Sequence, residues 1–224
     1  MQPTTPTLDT SPAAAAAARF WNRFARRYAA AKMADPAGYD VTIRRVEALL
    51  SPEHAVLEVG CGTGTTALRL AGRTRHLRAV DVSDGMIGIA REKLALQPMP
   101  QLQFEVATVE RAAAPGERYD RILAFNVLHL LPDLDAAIAT LSPALVPGGL
   151  FISKTPCLRD LNPLITHVAV PIMQAVGLAP PFLRLNAGAL RAAFERQGLA
   201  VEVVERHATR GRDFRPFIVA RKPG

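Results

Sequence analysis

The hydrophobic positions of this chain follow two rhythms. From Ala13 to Lys32, Phe20, Phe24 and Tyr28 recur four residues apart, which places them on one face of a helix beside Trp21. Arg19, Arg23, Arg26, Arg27 and Lys32 lie between them, and the pair Asp35-Pro36 punctuates the end. A second helical pattern runs from Tyr39 to Leu50, with Val41, Ile43, Val46, Leu49 and Leu50 as its apolar positions.

After Pro52 the rhythm changes. Short runs rich in Val, Ile and Leu, at Ala55–Val59, Leu77–Val82, Leu102–Val106, Tyr119–Phe125 and Leu150–Ser153, alternate with stretches of helical character. Those stretches fall at Thr65–Arg73, Gly85–Leu96 and Leu134–Leu145, with a shorter connection at Val109–Ala114. Strands joined by helical crossovers predict a parallel sheet, and runs without polar alternation predict strands covered on both faces. The end departs from this rhythm. Leu199–Arg206 and Phe214–Ala220 read as strands around a loop at His207–Asp213, the spacing of an antiparallel hairpin. The expectation is an α/β fold with a Rossmann-like, doubly wound seven-stranded sheet. It would comprise a flexible leader over 1–18, an N-terminal helical extension over 19–51 and one domain over 52–224.

Composition narrows the class. Of 224 residues, 49% are hydrophobic and 21% charged, which fits a packed globular chain rather than a disordered one. The apolar runs are too short to predict a membrane-spanning helix, and the first 18 residues lack the basic start of a secretory signal. Cys61 and Cys157 do not make a disulfide framework and suit a reducing, cytoplasmic setting. The net charge of +7 raises the question of an anionic partner. It is carried mostly by arginine and concentrated only on the first helix. No stripe of interleaved aromatic and basic residues extends beyond that helix, so no nucleic-acid partner is expected.

The candidate chemistry sits at Val56-Leu57-Glu58-Val59-Gly60-Cys61-Gly62-Thr63-Gly64, where a buried strand runs into three glycines and a helix follows. Glycine permits the tight turn and lets a ligand approach the backbone. The spacing excludes two alternatives. A dinucleotide fingerprint needs its third glycine at the sixth position, where Thr65 stands, and no Gly-Lys-Ser/Thr follows for a phosphate loop. At the end of the second strand Asp81 can accept hydrogen bonds from both hydroxyls of a ribose.

Glu58 and the glycines resemble motif I of class I S-adenosylmethionine-dependent methyltransferases, acidic-x-Gly-x-Gly-x-Gly on a strand–helix junction. The resemblance extends through Tyr119–Asp133 and Leu145–Ile152, while Phe20-Trp21 with Arg27-Tyr28 is similar to the N-terminal lid of small-molecule members, including the ubiquinone/menaquinone-biosynthesis methyltransferases. It implies S-adenosyl-L-methionine as cofactor and S-adenosyl-L-homocysteine as product. Gly60, Cys61, Gly62 and Gly64 would border the methionine and ribose, with no chemistry assigned to the thiol. Glu58 and the Asn126 carbonyl would hold the ammonium, Tyr28 the carboxylate, Asp81 the ribose, and Val82 and Met86 the adenosine, with helix capping as the other reading of Asp81 and core packing as that of Met86. The family's adenine-binding Asp is absent. Thr108 stands there, followed by Val109, whose amide can serve the ring, and Glu105 or Glu110 are the alternative acids.

Methyl transfer from a sulfonium needs alignment more than acid–base chemistry, so a base is required only if the acceptor must lose a proton. His129, after the fourth strand, is the candidate base, with local packing as its other reading; His167 is a weaker candidate beside the acceptor. Phe20, Trp21 and Phe24, with the apolar segment from Leu158 to Leu185, predict a small, largely apolar acceptor. No metal is expected, since no His/Cys cluster has ligand spacing. The competing reading is a peripheral membrane protein, or a phospholipid headgroup methyltransferase, using the basic aromatic helix. The chain would act as a monomer or homodimer.

Overall fold

The computed structural model describes residues 11–160, 172, 174, 179–211 and 213–224. Helix α1 (Pro12–Ala30) starts where the Ser11 side chain accepts the Ala14 N–H at 3.2 Å and proline occupies the first turn. Residues 12–18 of the expected leader are therefore helical. Helix α2 (Pro36–Glu47) repeats the device, with Asp35 accepting from the Gly38 N–H at 2.9 Å.

The alternation beyond residue 52 resolves into β1 (Ala55–Val59), α3 (Thr65–Leu70), β2 (His76–Asp81), α4 (Asp84–Leu96), β3 (Leu102–Val106), α5 (Val109–Ala112), β4 (Tyr119–Phe125), α6 (Leu134–Leu141) and β5 (Leu145–Lys154). Helix α7 (Ala187–Arg196) and strands β6 (Ala200–Glu205) and β7 (Phe217–Arg221) complete it. Helix α6 stops earlier than its apolar pattern suggests, because Pro143 tightens Ser142–Ala144 into a 3-10 turn. Strand β5 in turn begins before the Pro-Gly-Gly segment, whose backbone is bonded by Gly148 N–H to Lys222 O and Lys222 N–H to Gly149 O, both at 2.9 Å.

The seven strands lie in the order β3-β2-β1-β4-β5-β7-β6. The first five pair in parallel, and β7 slots between β5 and β6 antiparallel to both. Strand β7 is thus the one that runs against the rest, and the hairpin's other strand, β6, forms the edge. Consecutive residues of the central strands divide between two cores. Leu57, Ile122, Phe151 and Ile218 pack with Ile138, Leu190 and Phe194 on one face. Val56, Leu123, Ile152 and Val219 pack with Ile43, Leu70, Ile87 and Ala90 on the other. That division explains the non-alternating runs: both sides of each strand are dry.

Helix α1 lies outside these two layers, against α4. Ala25, Met86 and Ile89 are buried between the helices with Trp21 packed on them. Asn22 fixes the register, because its Oδ1 accepts from the Ser83 hydroxyl at 2.6 Å and from the Gly85 N–H at 3.1 Å. The first helix is thereby held over the carboxyl ends of β1 and β2.

Candidate functional site

Motif and topology meet at those carboxyl ends. Strand β1 leaves the sheet at Val59, and Gly60, Gly62 and Gly64 take φ of +66°, +54° and +74°, the left-handed region that favours glycine. At Gly60 a side chain is also excluded by space, since a Cβ would lie 2.5 Å from Val127 Cβ. At Gly64 it would meet Phe104 Cζ at the same distance. The turn after β4, which carries Asn126 and His129, is therefore seated directly on the glycine loop. Lys93 of α4 secures the far side, donating to the Thr63 carbonyl at 2.9 Å and to the Thr63 and Thr65 hydroxyls at 3.1 Å.

Asp81 joins the loop to the second strand. One carboxylate oxygen accepts the Gly62 N–H and the other the Ser83 N–H, each at 2.9 Å. Those bonds hold the loop open and leave lone pairs on both oxygens for further donors. Burial raises the Asp81 pKa above the usual carboxylate range while the two N–H bonds oppose the rise. Beneath the loop Glu58 is 2% exposed, and its Oε2 has no partner. Burial, and then the charge of Asp81, push its pKa up to about 8. A buried carboxyl lacking a donor is an unfilled demand for a cation or hydrogen-bond donor.

The other predicted residues divide between the site and its surroundings. Tyr28 Cε1 lies 3.9 Å from where a Gly62 Cβ would stand, and the residue is half exposed. Cys61 is buried, its N–H donating to the Val80 carbonyl at 3.0 Å, and burial drives its thiol well above the usual range. Asn126 adopts φ +55°, with its N–H bonded to the Lys154 carbonyl at 2.8 Å. Val82 and Thr108 line one cavity of about 250 Å³ with Val106, Ala107 and residues of α1. Thr108 also caps α5, accepting from Arg111 N–H at 3.4 Å, and Val109, the next residue, packs on the core.

Two expectations land elsewhere. Met86 is 2% exposed in the α1–α4 interface, where helix packing consumes the surface expected to meet a base. Trp21 packs on that same cluster and meets Tyr28 edge-on at 6.0 Å between ring centroids, so it serves the attachment of α1 to α4. Of the two alternative acids, Glu105 pairs with Arg78 at 2.9 Å and Arg111 at 3.6 Å, and Glu110 is exposed at the start of α5. Phe20 and Phe24 remain together, 4.7 Å between centroids and partly buried.

His129 lies in a 3-10 turn after β4, and its Nδ1 is buried without a partner. Its carbonyl accepts the Leu183 N–H at 2.7 Å, and its ring stands 6.5 Å from Phe182. Burial lowers its pKa to about 4, so the imidazole is neutral near pH 7. His167 falls outside the described residues, as does much of the apolar segment around it. Among the described residues no group of three or more His, Cys, Asp or Glu is placed to hold a metal ion, and no helix is long and apolar enough to cross a membrane.

Asn22, Ser83 and Lys93 escape the sequence reading. Only the serine before a helix carries a local signal, that of an N-cap: Ser83 accepts the Met86 N–H at 3.0 Å.

The family model described as "Methyltransferase domain" matches residues 56–149, from β1 to the start of β5. An uncharacterised methyltransferase of Mycobacterium bovis is 32% identical over 110 residues, 48% of this chain and 54% of that protein. A ubiquinone biosynthesis O-methyltransferase of Methylobacterium nodulans is 30% identical over 121 residues, covering 54% and 46%. The chain spans about half the length of these curated relatives. Among solved structures, magnesium protoporphyrin IX methyltransferase from Synechocystis PCC 6803 with bound SAH superposes with a TM-score of 0.68 at 19% identity, covering 94% of this chain and 99% of that one. The fold is the Rossmann-like one of class I methyltransferases.

Proposed function

We propose that this chain, which carries the methyltransferase domain of the class I S-adenosylmethionine-dependent family, transfers a methyl group from S-adenosyl-L-methionine to a small, largely apolar acceptor. The observation that carries the reading is the pair of carboxyl groups at the glycine loop. Glu58 is buried with an unpartnered oxygen, and Asp81 is held by two backbone amides with lone pairs to spare. A ligand with a cationic end and a vicinal diol matches both demands.

The cofactor, when bound, supplies a methyl group on a positively charged sulfur. Glu58 and the Asn126 carbonyl would receive its ammonium, Tyr28 its carboxylate, Gly60, Cys61, Gly62 and Gly64 its methionine and ribose, and Asp81 its diol. Val82, Thr108 and the Val109 amide would border the base. The loop's contribution is positional: glycines fixed by Val127, Phe104, Lys93 and Asp81 cost little to order when the ligand arrives. His129, neutral and without a partner for Nδ1, is the group that would accept an acceptor's proton. Phe20 and Phe24, together with Phe182 beside His129, support an apolar acceptor.

Titration calorimetry with S-adenosylmethionine and S-adenosylhomocysteine tests the reading. Binding in the wild type, weakened at least tenfold in Asp81→Ala, is the expected result; no wild-type binding at millimolar ligand overturns it. A screen with methyl-labelled donor across phenols, quinones, amines and lipids then identifies the acceptor.

A further inference from the structure

Two residues before Glu58 on β1, Val56 packs beneath Ile43 and Val46 of α2 and Ala67 and Leu70 of α3, and alternation puts the Glu58 carboxyl on that same dry face. Its strand neighbours in register are Ala79 and Leu123, whose side chains donate nothing. Glu58 is 2% exposed, and Oε2 finds no donor. The titratable groups that bear on it are Asp81 from β2, the Tyr39 phenol from α2 and the Cys61 thiol of the loop. Burial raises the phenol and the thiol, so both are neutral near pH 7, and Asp81 is a second acid. Cations of the neighbouring elements are committed elsewhere: Arg69 of α3 pairs with Asp40, and Lys154 of β5 donates to Thr42 Oγ1 at 2.8 Å.

An ionised carboxylate in that place would be unsolvated, unpaired and beside another acid, and taking up a proton removes the cost. A bound ammonium reverses the balance. It brings a positive charge and N–H donors to the orphaned oxygen, so the ionised form becomes the favoured one. The exchange balances as carboxylic acid plus ammonium giving an ion pair plus one proton in water: the Glu58 O–H bond breaks, and no covalent bond forms to the ligand.

Resting on the cofactor reading above, we propose that cofactor binding is coupled to release of one proton from Glu58, so that the protein's hold on its cofactor weakens as pH falls. With the free group titrating at about 8, affinity for S-adenosylhomocysteine should rise about tenfold from pH 6 to pH 7 and about fivefold more by pH 8. Calorimetry at pH 7 in phosphate and in Tris, buffers of different ionisation enthalpy, counts the proton directly; about 0.9 proton should leave per ligand bound. Methylthioadenosine keeps the nucleoside and lacks the ammonium, so its binding should release none and stay constant from pH 6 to 8. Glu58→Gln, neutral at every pH, should bind S-adenosylhomocysteine with neither the release nor the pH dependence. Should Glu58→Gln fail to fold in a thermal melt, the wild-type proton count decides. Binding of S-adenosylhomocysteine with release below about 0.3 proton, or an equal release with methylthioadenosine or in folded Glu58→Gln, overturns the proposal and leaves the cofactor reading standing. Binding of neither ligand to the wild type overturns both.

Discussion

Replacing Glu58 by Gln asks whether the carboxyl under the glycine loop is stored in its neutral form. In an unfolded chain the group titrates near 4.5; in the fold burial and the charge of Asp81 raise it to about 8. Between those values the native state holds a proton that the unfolded state has lost. The contribution of Glu58 to stability therefore falls as pH rises through that window. At about 1.36 kcal/mol for each pH unit, the full window amounts to at most about 5 kcal/mol, and relaxation of the loop reduces this to about 2–3 kcal/mol. The glutamine amide has nearly the same shape and is neutral throughout. Urea unfolding of ligand-free protein at pH 5, 6, 7, 8 and 9 should show the two proteins close together at pH 5, with the variant gaining over the wild type up to pH 8. Above pH 8 the difference should level off. A difference that stays flat from pH 5 to 9 refutes the reasoning.

At the start of the loop, Gly60→Ala combines a left-handed φ with a Cβ driven into Val127; it should cost about 2–4 kcal/mol in thermal or urea unfolding, and a loss below about 0.5 kcal/mol would contradict the geometry. His129→Phe keeps a ring beside Phe182 and removes the unpartnered nitrogen. Against an acceptor that must lose a proton, kcat should fall about 10²-fold or more with S-adenosylhomocysteine affinity unchanged; an unchanged kcat assigns the histidine to packing alone.

Much of the fold and of the site is written in short-range pattern. Runs such as Val56-Leu57 and Ile122-Leu123 are apolar on consecutive positions because each residue enters a different core, and that need is visible without coordinates. The same holds for the glycine spacing after Glu58 and for Asp81, since strand, turn and helix N-terminus are contiguous in the chain. Other assignments depended on which elements meet. Met86 read as either a ligand neighbour or a core residue; α1 covers it and makes it core, and no local signal predicts that a helix some 60 residues earlier will dock there. Asn22 carries no local signal, and only the fold places the Ser83 hydroxyl and the Gly85 N–H against its side chain.

The succession of short apolar runs and helical stretches by itself determined a layered sheet with helical crossovers, and the glycine spacing after Glu58 determined the loop where a ligand can reach the backbone. The order of strands across the sheet belongs to the tertiary structure. Only tertiary structure decided the charge state of Glu58, because desolvation comes from neighbours on other strands and helices. Tertiary structure also decided the cavity beyond Asp81. An alanine run has no function in a leader; packed across from Thr108, it becomes one wall of a cavity.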